Sequence, residues 1–203
     1  MNLFEYVSLG LRHRKDPVHV KFLAGRHVLD VGCGHGEFLA HSPENTVGVD
    51  VDPVLVSKCV ERGFNAYCMN ALALEFPDAS FDVVHAAQLI EHFAPPDAVR
   101  FLSEAARVLR PGGRVFLTTP GLRNVWNTFS HIRPYPPTAF RKLLGSATEN
   151  YLRGGKEGDL YLEYEQGYRH YSSNRMLMFA LSIIDLLFPP SSPLGWTIVL
   201  HKK

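Results

Sequence analysis

The sequence predicts an α/β domain in which a doubly wound parallel sheet carries helices on both faces. Apolar segments of strand length alternate with segments of helical character along much of the chain. Such alternation requires crossover connections, which place helices on both faces of a parallel sheet. A second observation is more specific. The apolar segment 27–31 leads directly into three glycines at alternate positions, Gly32, Gly34 and Gly36, which is typical of a strand that turns at once into a helix beside a ligand.

The first half of the chain supplies most of the predicted sheet. Residues 1–24 are expected to form a helical lead-in. Strands are predicted where short apolar runs occur, at 27–31, 46–50, 64–69, 82–86 and 115–118. Asp52 and Pro53 are a typical N-cap and first helical residue, so a helix is predicted from there to about Arg62, and Gly63 ends it. Apolar residues at helical spacing predict a second helix at 97–109, which the following Pro-Gly-Gly run ends.

The last third of the chain is less regular. Residues 121–137 contain three prolines and are predicted to lack a regular element. Periodicity then predicts a helix at 138–144, a strand at 160–165, a buried helix at 176–188 and a closing strand at 195–200. The apolar run 176–188 is too short to span a bilayer. It is interpreted as core, as a dimer face or as a contact with a membrane surface.

Length and composition favour a single globular domain spanning 1–203. Of the 203 residues, 46% are hydrophobic, which is ordinary for one domain with a full core. The net charge of +1 provides no overall field that would favour nucleic acid or an anionic membrane. The three cysteines lack metal-binding or redox spacing, and no secretory signal is recognised. Reduced thiols and a cytoplasmic location are therefore expected.

Two acidic residues restrict the class of ligand. Asp50 ends the second apolar strand, eighteen residues after Gly32, where a carboxylate can accept hydrogen bonds from ribose hydroxyls. An acid that ends a buried strand requires a partner, and no partner is evident in the sequence, so Asp50 is assigned to a ligand. A dinucleotide site needs a small residue three places after Gly34, but that residue is Glu37, which would repel a pyrophosphate. The pattern predicts an adenosine ligand without phosphates.

Four segments in order resemble the motifs of class I S-adenosylmethionine-dependent methyltransferases, of the small-molecule type. They are Val-Leu-Asp-Val-Gly-Cys-Gly-His-Gly at 28–36, Val-Gly-Val-Asp-Val-Asp at 47–52, the segment 81–93 and the segment 107–120. The resemblance covers roughly residues 25–120. It implies a Rossmann-like doubly wound sheet of seven strands, mostly parallel with an antiparallel last strand. It further implies a cofactor-binding core at 25–120, an acceptor-side segment with closing strands at 121–203, and S-adenosylmethionine as the cofactor, with S-adenosylhomocysteine as its product.

The resemblance also implies a set of cofactor-binding residues. The three glycines would line the methionine and ribose portion, Asp50 would hold the ribose hydroxyls, and Val51 would pack on the adenine. Asn70 replaces an Asp that the family often uses to bind the adenine amino group, and Ala71 could offer its backbone N–H to the ring. The full set is Gly32, Gly34, Gly36, Asp50, Val51, Asn70, Ala71, Ala87 and Gln88. Asp30 is interpreted instead as an anchor of the glycine loop, and Asp52 as a helix cap only.

Histidines are the candidates for a general base, because an imidazole has an unperturbed pKa of about 6.5. His92 follows Glu91 in a turn where the resemblance places the transferring methyl group. His131 lies in the segment that would shape the acceptor pocket, with Arg133 and Tyr135 as candidate acceptor contacts. Either His131 or His92 is expected to act in catalysis or to contact the acceptor. His85, inside a predicted strand, is interpreted as a core residue.

Several reaction types are disfavoured by missing motifs. No Asn-Pro-Pro-Tyr or Asp-Pro-Pro-Tyr run follows the fourth strand, which argues against amino-methylation of DNA. No Pro-Cys dipeptide offers the nucleophile of cytosine methylation. No cluster of His, Cys and carboxylate residues has metal-ligand spacing in the sequence, so a reaction without a metal is expected.

The sequence therefore predicts methyl transfer to a small or lipid-like acceptor at oxygen or carbon. The aromatic residues Trp126, Phe129, Tyr135 and Phe140 motivate this choice of acceptor, although all four could equally be ordinary packing residues. The alternatives are a protein or RNA methyltransferase, with RNA disfavoured by the near-zero charge, and a non-catalytic module that binds S-adenosylmethionine. No DNA partner and no integral membrane segment are expected, and the protein is expected to be a monomer or homodimer.

Overall fold

The computed structural model describes residues 21–145, 160–168 and 193–203. It also describes some isolated residues, namely Leu177, Ala180, Leu181, Ile183, Ile184 and Leu187. One seven-stranded sheet runs through the described part of the chain. Its strands in chain order are β1 (Val28–Val31), β2 (Thr46–Asp50), β3 (Ala66–Cys68), β4 (Phe81–Ala87), β5 (Leu109–Pro120), β6 (Leu160–Tyr168) and β7 (Gly195–Lys202).

The strands lie side by side in the order β3, β2, β1, β4, β5, β7, β6. Neighbouring strands from β3 to β5 are parallel, whereas β7 is antiparallel to both β5 and β6. The strands that follow β1, namely β2 and β3, lie on one side of it, and β4 and all later strands lie on the other side. The direction of strand order therefore reverses between β1 and β4. The expected fold class, including the antiparallel last strand, is confirmed. In such a sheet, ligands bind at the carboxyl ends of the strands near the reversal.

Within the described ranges, three α-helices with defined bounds pack on this sheet. They are α1 (Pro53–Glu61), α2 (Pro95–Val108) and α3 (Pro137–Gly145). The Asp52 carboxylate accepts a hydrogen bond of 2.8 Å from the Val54 backbone N–H, and Pro53 occupies the first helical position. The cap that the sequence predicts is therefore present. Short 3₁₀ turns occur at Leu39–His41, Ile90–His92 and Val125–Asn127.

The apolar side chains of each strand point alternately to the two faces of the sheet, so each face has its own part of the core. On one face, Leu29 and Leu117 belong to the cluster that includes Phe101 of α2 and Phe140 of α3. On the other face, residues such as Phe116 pack with Phe22, and α1 packs against the glycine loop through Val56 and Cys59. Successive strand residues point to opposite faces, so the described helices cover both faces, as predicted.

The helix α2 and the strand β5 differ most from the predicted boundaries. The helix ends at Val108, and β5 begins at once with Leu109, which pairs with Phe81. The register then shifts so that Val83 pairs with Arg114. The Pro-Gly-Gly run is therefore a bulge inside β5 and does not end the helix, which corrects the prediction of a strand limited to 115–118.

Two predicted elements lie mainly outside the described residues: the lead-in at 1–24 and the apolar run at 176–188. No helix among the residues that the structure describes is long and apolar enough to cross a membrane.

Asp30 and His85 form a buried pair inside the sheet. They are register partners on β1 and β4, and Asp30 Oδ1 lies 2.6 Å from His85 Nδ1. The His85 ring stacks on Phe38, with 3.9 Å between ring centroids. His85 is thus a core residue, as interpreted. The interpretation of Asp30 as an anchor of the glycine loop is corrected, because its side chain pairs with the neighbouring strand.

Candidate cofactor and acceptor site

A cavity of about 270 Å³ opens at the carboxyl ends of β1 and β2. It is lined by Val31, Gly32, Val49, Asp50, Val51, Met69, Asn70, Ala71, Leu89 and Phe93. Most of these side chains are apolar, and Asp50 carries the one charge among them. A mostly apolar cavity with few polar groups, at the reversal of strand order, is the usual form of a site for a small ligand.

Asp50 is held by the backbone on both sides of its carboxylate. Oδ2 accepts a 2.9 Å hydrogen bond from the N–H of Gly34, and Oδ1 accepts one of 3.0 Å from the N–H of Asp52. The inference that Asp50 lacks a protein partner is therefore corrected. A carboxylate offers about four acceptor positions, so two backbone donors leave capacity for two further donors. These bonds orient Asp50 at the rim of the glycine loop.

The three glycines of the loop have different surroundings although all have positive φ, +74° at Gly32, +52° at Gly34 and +76° at Gly36. Gly32 lines the cavity, and a Cβ there would lie 3.1 Å from Leu89. A Cβ on Gly34 would have no atom within 4 Å. Gly36 faces α1, where a Cβ would lie 2.9 Å from Cys59 Sγ. The structure therefore places Gly36 in helix packing and not in the cavity lining.

The residues expected beside the adenine lie along one wall of the cavity. Val51, Asn70 and Ala71 all line it. Val51 is 72% exposed, so its side chain is free to pack against a planar ring. Asn70 Oδ1 accepts a 2.9 Å hydrogen bond from the Leu72 N–H, which fixes the amide and leaves its NH₂ group and one oxygen lone pair for a ligand.

Ala87 and Gln88 do not belong to the cavity lining. Ala87 pairs with Thr118 of β5, and the Gln88 N–H donates to the Thr118 carbonyl at 2.9 Å. Gln88 has a positive φ of 53°, which is uncommon for a residue with a side chain. This conformation turns the chain after β4 and brings Leu89 to the cavity.

Five lining residues were missed by the sequence reasoning: Val31, Val49, Met69, Leu89 and Phe93. Position alone could have identified two of them, since Val31 is the last residue of β1 and Val49 directly precedes the last residue of β2. Leu89 and Phe93 fall within the segment 81–93 that carries part of the resemblance, but their apolar character does not separate a lining residue from a core residue.

A second group of polar residues lies beside the cavity and consists of Glu91, His92 and His131, called here the EHH cluster. One ligand atom from each of the three lies within 4.8 Å of the others. His131 is brought to the turn at Ile90–His92 by backbone pairing, since the Ile132 N–H donates to the Glu91 carbonyl at 2.8 Å. These three side chains could together hold a metal ion, although no cluster with metal-ligand spacing is visible in the sequence. Spacing in the sequence could not reveal it, because His131 is distant from Glu91 in the chain.

Glu91 is fully buried, with 0% of its surface exposed. Neither carboxylate oxygen has a hydrogen-bond partner of normal geometry among the described residues, and the nearest basic atom is His131 Nε2 at 4.0 Å from Oε1. Burial raises the pKa of the Glu91 carboxyl to about 7, an effect that the neighbouring Thr119 hydroxyl partly offsets. A buried carboxyl group without a close partner is costly in a protein core, so its retention points to a function.

Both histidines of the cluster are oriented by backbone carbonyls. His131 Nδ1 lies 2.8 Å from the Val125 carbonyl, and His92 Nδ1 lies 3.2 Å from the Ser130 carbonyl. A carbonyl only accepts, so Nδ1 carries the proton in each ring and Nε2 of a neutral ring keeps a lone pair. The two rings meet edge to face, with 4.7 Å between centroids. Each histidine can therefore act as a base or as a ligand.

The aromatic residues of the segment after β5 divide into buried and exposed pairs. Tyr135 and Phe140 are buried, and the Tyr135 hydroxyl donates to the Phe93 carbonyl at 3.0 Å. They are packing residues. Trp126 is 63% exposed and Phe129 is fully exposed. Arg133, expected near the acceptor, lies with its guanidinium 5.2 Å from the centroid of the Tyr135 ring.

Residues 29–117 match the family described as "Methyltransferase domain". The chain is 38% identical over 106 residues to the 27-O-demethylrifamycin SV methyltransferase of Amycolatopsis mediterranei, covering 46% of this chain and 38% of that protein. It is 36% identical over 122 residues to the tRNA (carboxymethyluridine(34)-5-O)-methyltransferase ALKBH8 of Macaca fascicularis, covering 57% of this chain and 18% of that protein. The chain thus spans less than half the length of these curated relatives.

Among solved structures, the chain resembles that of a SAM dependent methyltransferase from Archaeoglobus fulgidus. The TM-score is 0.66 at 22% identity, covering 97% of this chain and 94% of the other. At this identity the likeness is one of fold, and it extends beyond the matched residues 29–117 to the antiparallel strands.

Proposed function

We propose that the chain, whose residues 29–117 match the methyltransferase domain family, is a class I S-adenosylmethionine-dependent methyltransferase that transfers a methyl group to an oxygen or carbon atom of a small or lipid-like acceptor. S-adenosylmethionine is the cofactor that the family and fold imply. The observation that carries the proposal is the cavity at the ends of β1 and β2, where Asp50 is fixed by the backbone N–H groups of Gly34 and Asp52.

The residues of the cavity fit this cofactor. Gly32 keeps the loop close to Leu89, where a Cβ would lie 3.1 Å away and crowd the cavity wall. Asp50 would accept hydrogen bonds from ribose hydroxyls with its remaining acceptor positions. The exposed Val51 would pack on the adenine, and Asn70 and Ala71 would contact the ring edge. A carboxylate in the cavity is compatible with a ligand that has no phosphate groups.

The chemistry requires the protein mainly to align two reactants. S-adenosylmethionine supplies, when bound, a methyl group that is already activated by a sulfonium sulfur. Holding the two reactants in line supplies much of the acceleration in such a transfer. His131 and His92 would take up or relay the proton of an acceptor hydroxyl, because Nε2 of each neutral ring is free to accept it. Ala87 and Gln88 would support the cofactor side from the end of β4 without lining the cavity.

The acceptor class is inferred from the surface beside the EHH cluster. Leu122, Trp126, Phe129 and Ile132 are at least half exposed and lie within one short segment, called here the apolar segment 122–132. Several exposed apolar side chains within eleven residues of sequence favour binding of an apolar molecule. His131 lies within this segment, so an acceptor bound there would be close to the candidate base.

A tRNA is the second candidate acceptor, favoured by one observation. The ALKBH8 relative named above is a tRNA methyltransferase, and exposed Trp126 and Phe129 could stack on unpaired bases. Against this, the whole chain has a net charge of only +1, whereas tight RNA binding usually uses a basic surface.

Calorimetry with S-adenosylmethionine and S-adenosylhomocysteine tests the cofactor part of the proposal. Labelled S-adenosylmethionine is then used in a transfer assay with a panel of hydroxylated apolar compounds, lipids and unmodified tRNA. Label on a small or lipid-like compound supports the proposed acceptor, and label on tRNA would replace it with the second candidate. Tight binding without any transfer would favour a non-catalytic binding module. Absence of binding would contradict the proposal at its first step.

A variant of the apolar segment tests the acceptor site separately. Phe129→Ala is expected to lower kcat/KM for the acceptor about tenfold or more, because a bound acceptor that covered the exposed Phe129 side chain would gain about 1.5–3 kcal/mol of apolar contact. Affinity for S-adenosylhomocysteine should not change. Val60→Ala, at a residue 53% exposed on α1, is the matched control and should change neither quantity. Equal effects of the two substitutions would remove the apolar segment 122–132 from the acceptor site.

A further inference from the structure

We propose that Glu91, His92 and His131 bind a divalent transition metal ion at the edge of the cavity. Two imidazoles and one carboxylate form a ligand set that suits zinc, manganese or iron ions, whereas magnesium and calcium prefer sites made of oxygen ligands alone. Within the described part of the chain, no other group of three His, Cys, Asp or Glu side chains is placed to hold an ion. The proposal rests on three independent observations of geometry.

The first observation is the distance between the ligand atoms. They lie within 4.8 Å of one another, with 4.0 Å between Glu91 Oε1 and His131 Nε2. Bonds of about 2.0–2.2 Å to a shared ion put neighbouring ligand atoms roughly 3.0–3.5 Å apart. Each atom therefore needs to move by about one ångström or less, which side-chain rotation provides without a change of backbone.

The second observation is the orientation of the histidines. Nδ1 of His131 and of His92 each face a backbone carbonyl, at 2.8 Å and 3.2 Å. Metal-binding histidines usually donate their second ring N–H to a carbonyl or carboxylate, which fixes the ring and directs the other nitrogen to the metal. In His131 that other nitrogen is Nε2, the atom that faces Glu91.

The third observation is the unpaired carboxyl group of Glu91. Its surface is 0% exposed, and neither oxygen has a hydrogen-bond partner of normal geometry among the described residues, although the Thr119 hydroxyl lies nearby. Glu91 Oε1 lies 4.0 Å from His131 Nε2, and only 10% of the His131 side chain is exposed. A cation between the two would satisfy the carboxylate and account for its burial.

The position of the cluster indicates what the ion does, and this step rests on the proposed function. The turn Ile90–His92 lies between Leu89 and Phe93, both of which line the cavity. Three protein ligands leave positions open on the ion for an acceptor hydroxyl. With the histidine lone pairs bound to it, the ion would take over the task assigned above to the free imidazoles: it would lower the pKa of that hydroxyl, whose proton would pass to solvent. The acceptor oxygen then forms a bond to the methyl carbon while the carbon–sulfur bond breaks, and the bonding electron pair stays on sulfur as a neutral thioether.

Cobalt(II) titration of the chelator-treated full chain tests the site, because bound Co²⁺ has visible absorption that depends on its ligands. We expect one Co²⁺ per chain, displaced by Zn²⁺ but not by Mg²⁺. His92→Gln, His131→Gln and Glu91→Gln should each weaken binding at least tenfold. His41→Gln, at an exposed histidine, is the matched control and should leave the affinity unchanged. A thiolate absorption band would assign the ion to cysteines and overturn the proposal.

Folding and cofactor binding are measured in the same samples. Circular dichroism identifies any variant that fails to fold. His92 is partly exposed, so His92→Gln is expected to fold even if substitution of the buried Glu91 does not. The metal proposal fails if Co²⁺ does not bind, or if His92→Gln and His131→Gln bind it as well as the wild type. Calorimetry with S-adenosylhomocysteine on the metal-free protein separates this failure from failure of the proposed function, because Asp50 and the other residues that line the cavity do not belong to the EHH cluster.

Discussion

Substituting alanine for Gly36 tests the assignment of this glycine to packing between the loop and α1. A Cβ at position 36 would lie 2.9 Å from Cys59 Sγ and 3.0 Å from Phe64 Cδ2, and φ is +76°. A left-handed backbone costs a residue with a side chain about 1–2 kcal/mol, and overpacking adds about 1–3 kcal/mol. We expect Gly36→Ala to lower the free energy of unfolding by about 2–5 kcal/mol, which corresponds to a fall of roughly 5–15 °C in Tm for a domain of this size.

Gly34→Ala is the matched control, because φ is also positive but a Cβ would have no atom within 4 Å. Only the backbone cost of about 1–2 kcal/mol should remain. Thermal and urea unfolding of both variants measure the difference. Cys59→Ala removes the sulfur atom that the new Cβ would meet. It should therefore lower the free energy of unfolding of Gly36→Ala less than that of the wild type, and a double-mutant cycle measures this coupling. Equal destabilisation by Gly34→Ala and Gly36→Ala, without coupling to Cys59, would refute the packing argument.

Two further predictions concern a thiol and an ion pair. Cys68 is exposed whereas Cys33 and Cys59 are buried, and burial raises the pKa of the Cys33 thiol. Ellman's reagent should therefore modify one thiol quickly in the native protein and all three after unfolding. Rapid modification of two thiols in the native protein would contradict this packing. Hydrogen bonds from Arg107 lower the pKa of Glu104. The ionised carboxylate therefore stabilises the fold above its ordinary pKa of about 4.3, and this contribution is lost as pH falls through the lower folded value. In urea unfolding, Glu104→Gln should be less stable than the wild type at pH 7 but close to it near pH 3. The exposed control Glu75→Gln should show little effect at either pH. If Glu104→Gln were equally destabilised at both pH values, the ion pair would be excluded as the cause.

The fold was largely predictable because its determinants are local. Alternating apolar runs, the Asp52 cap and the glycines with positive φ each act over a few residues, and all indicate the same sheet. The predicted start of β5 was wrong because the Pro-Gly-Gly run after α2 resembles a signal that ends a helix. Pairing of Leu109 with Phe81, a contact distant in sequence, makes it a bulge within β5.

The site was predictable where a residue follows directly from its strand. Of the residues predicted to bind the cofactor, five line the cavity, and their contact with a cofactor stays a prediction: Gly32, Asp50, Val51, Asn70 and Ala71. The failures involve contacts between distant segments. Pairing of Asp30 with His85 requires knowledge of which strands are neighbours, and the EHH cluster requires the Ile132 contact to Glu91 that brings His131 back to the turn.

The central claim is that Asp50 holds the ribose of S-adenosylmethionine in the cavity at the ends of β1 and β2. Calorimetric titration of S-adenosylhomocysteine into the wild type, Asp50→Asn and Asp52→Asn tests it most directly. Asp52→Asn removes the same charge two residues away and retains a good helix cap. Hydrogen bonds to a charged group contribute about 1.5–3 kcal/mol, so Asp50→Asn should weaken binding about 10-fold to 150-fold, while Asp52→Asn should bind within about twofold of the wild type. Equal affinities for Asp50→Asn and the wild type would contradict the account.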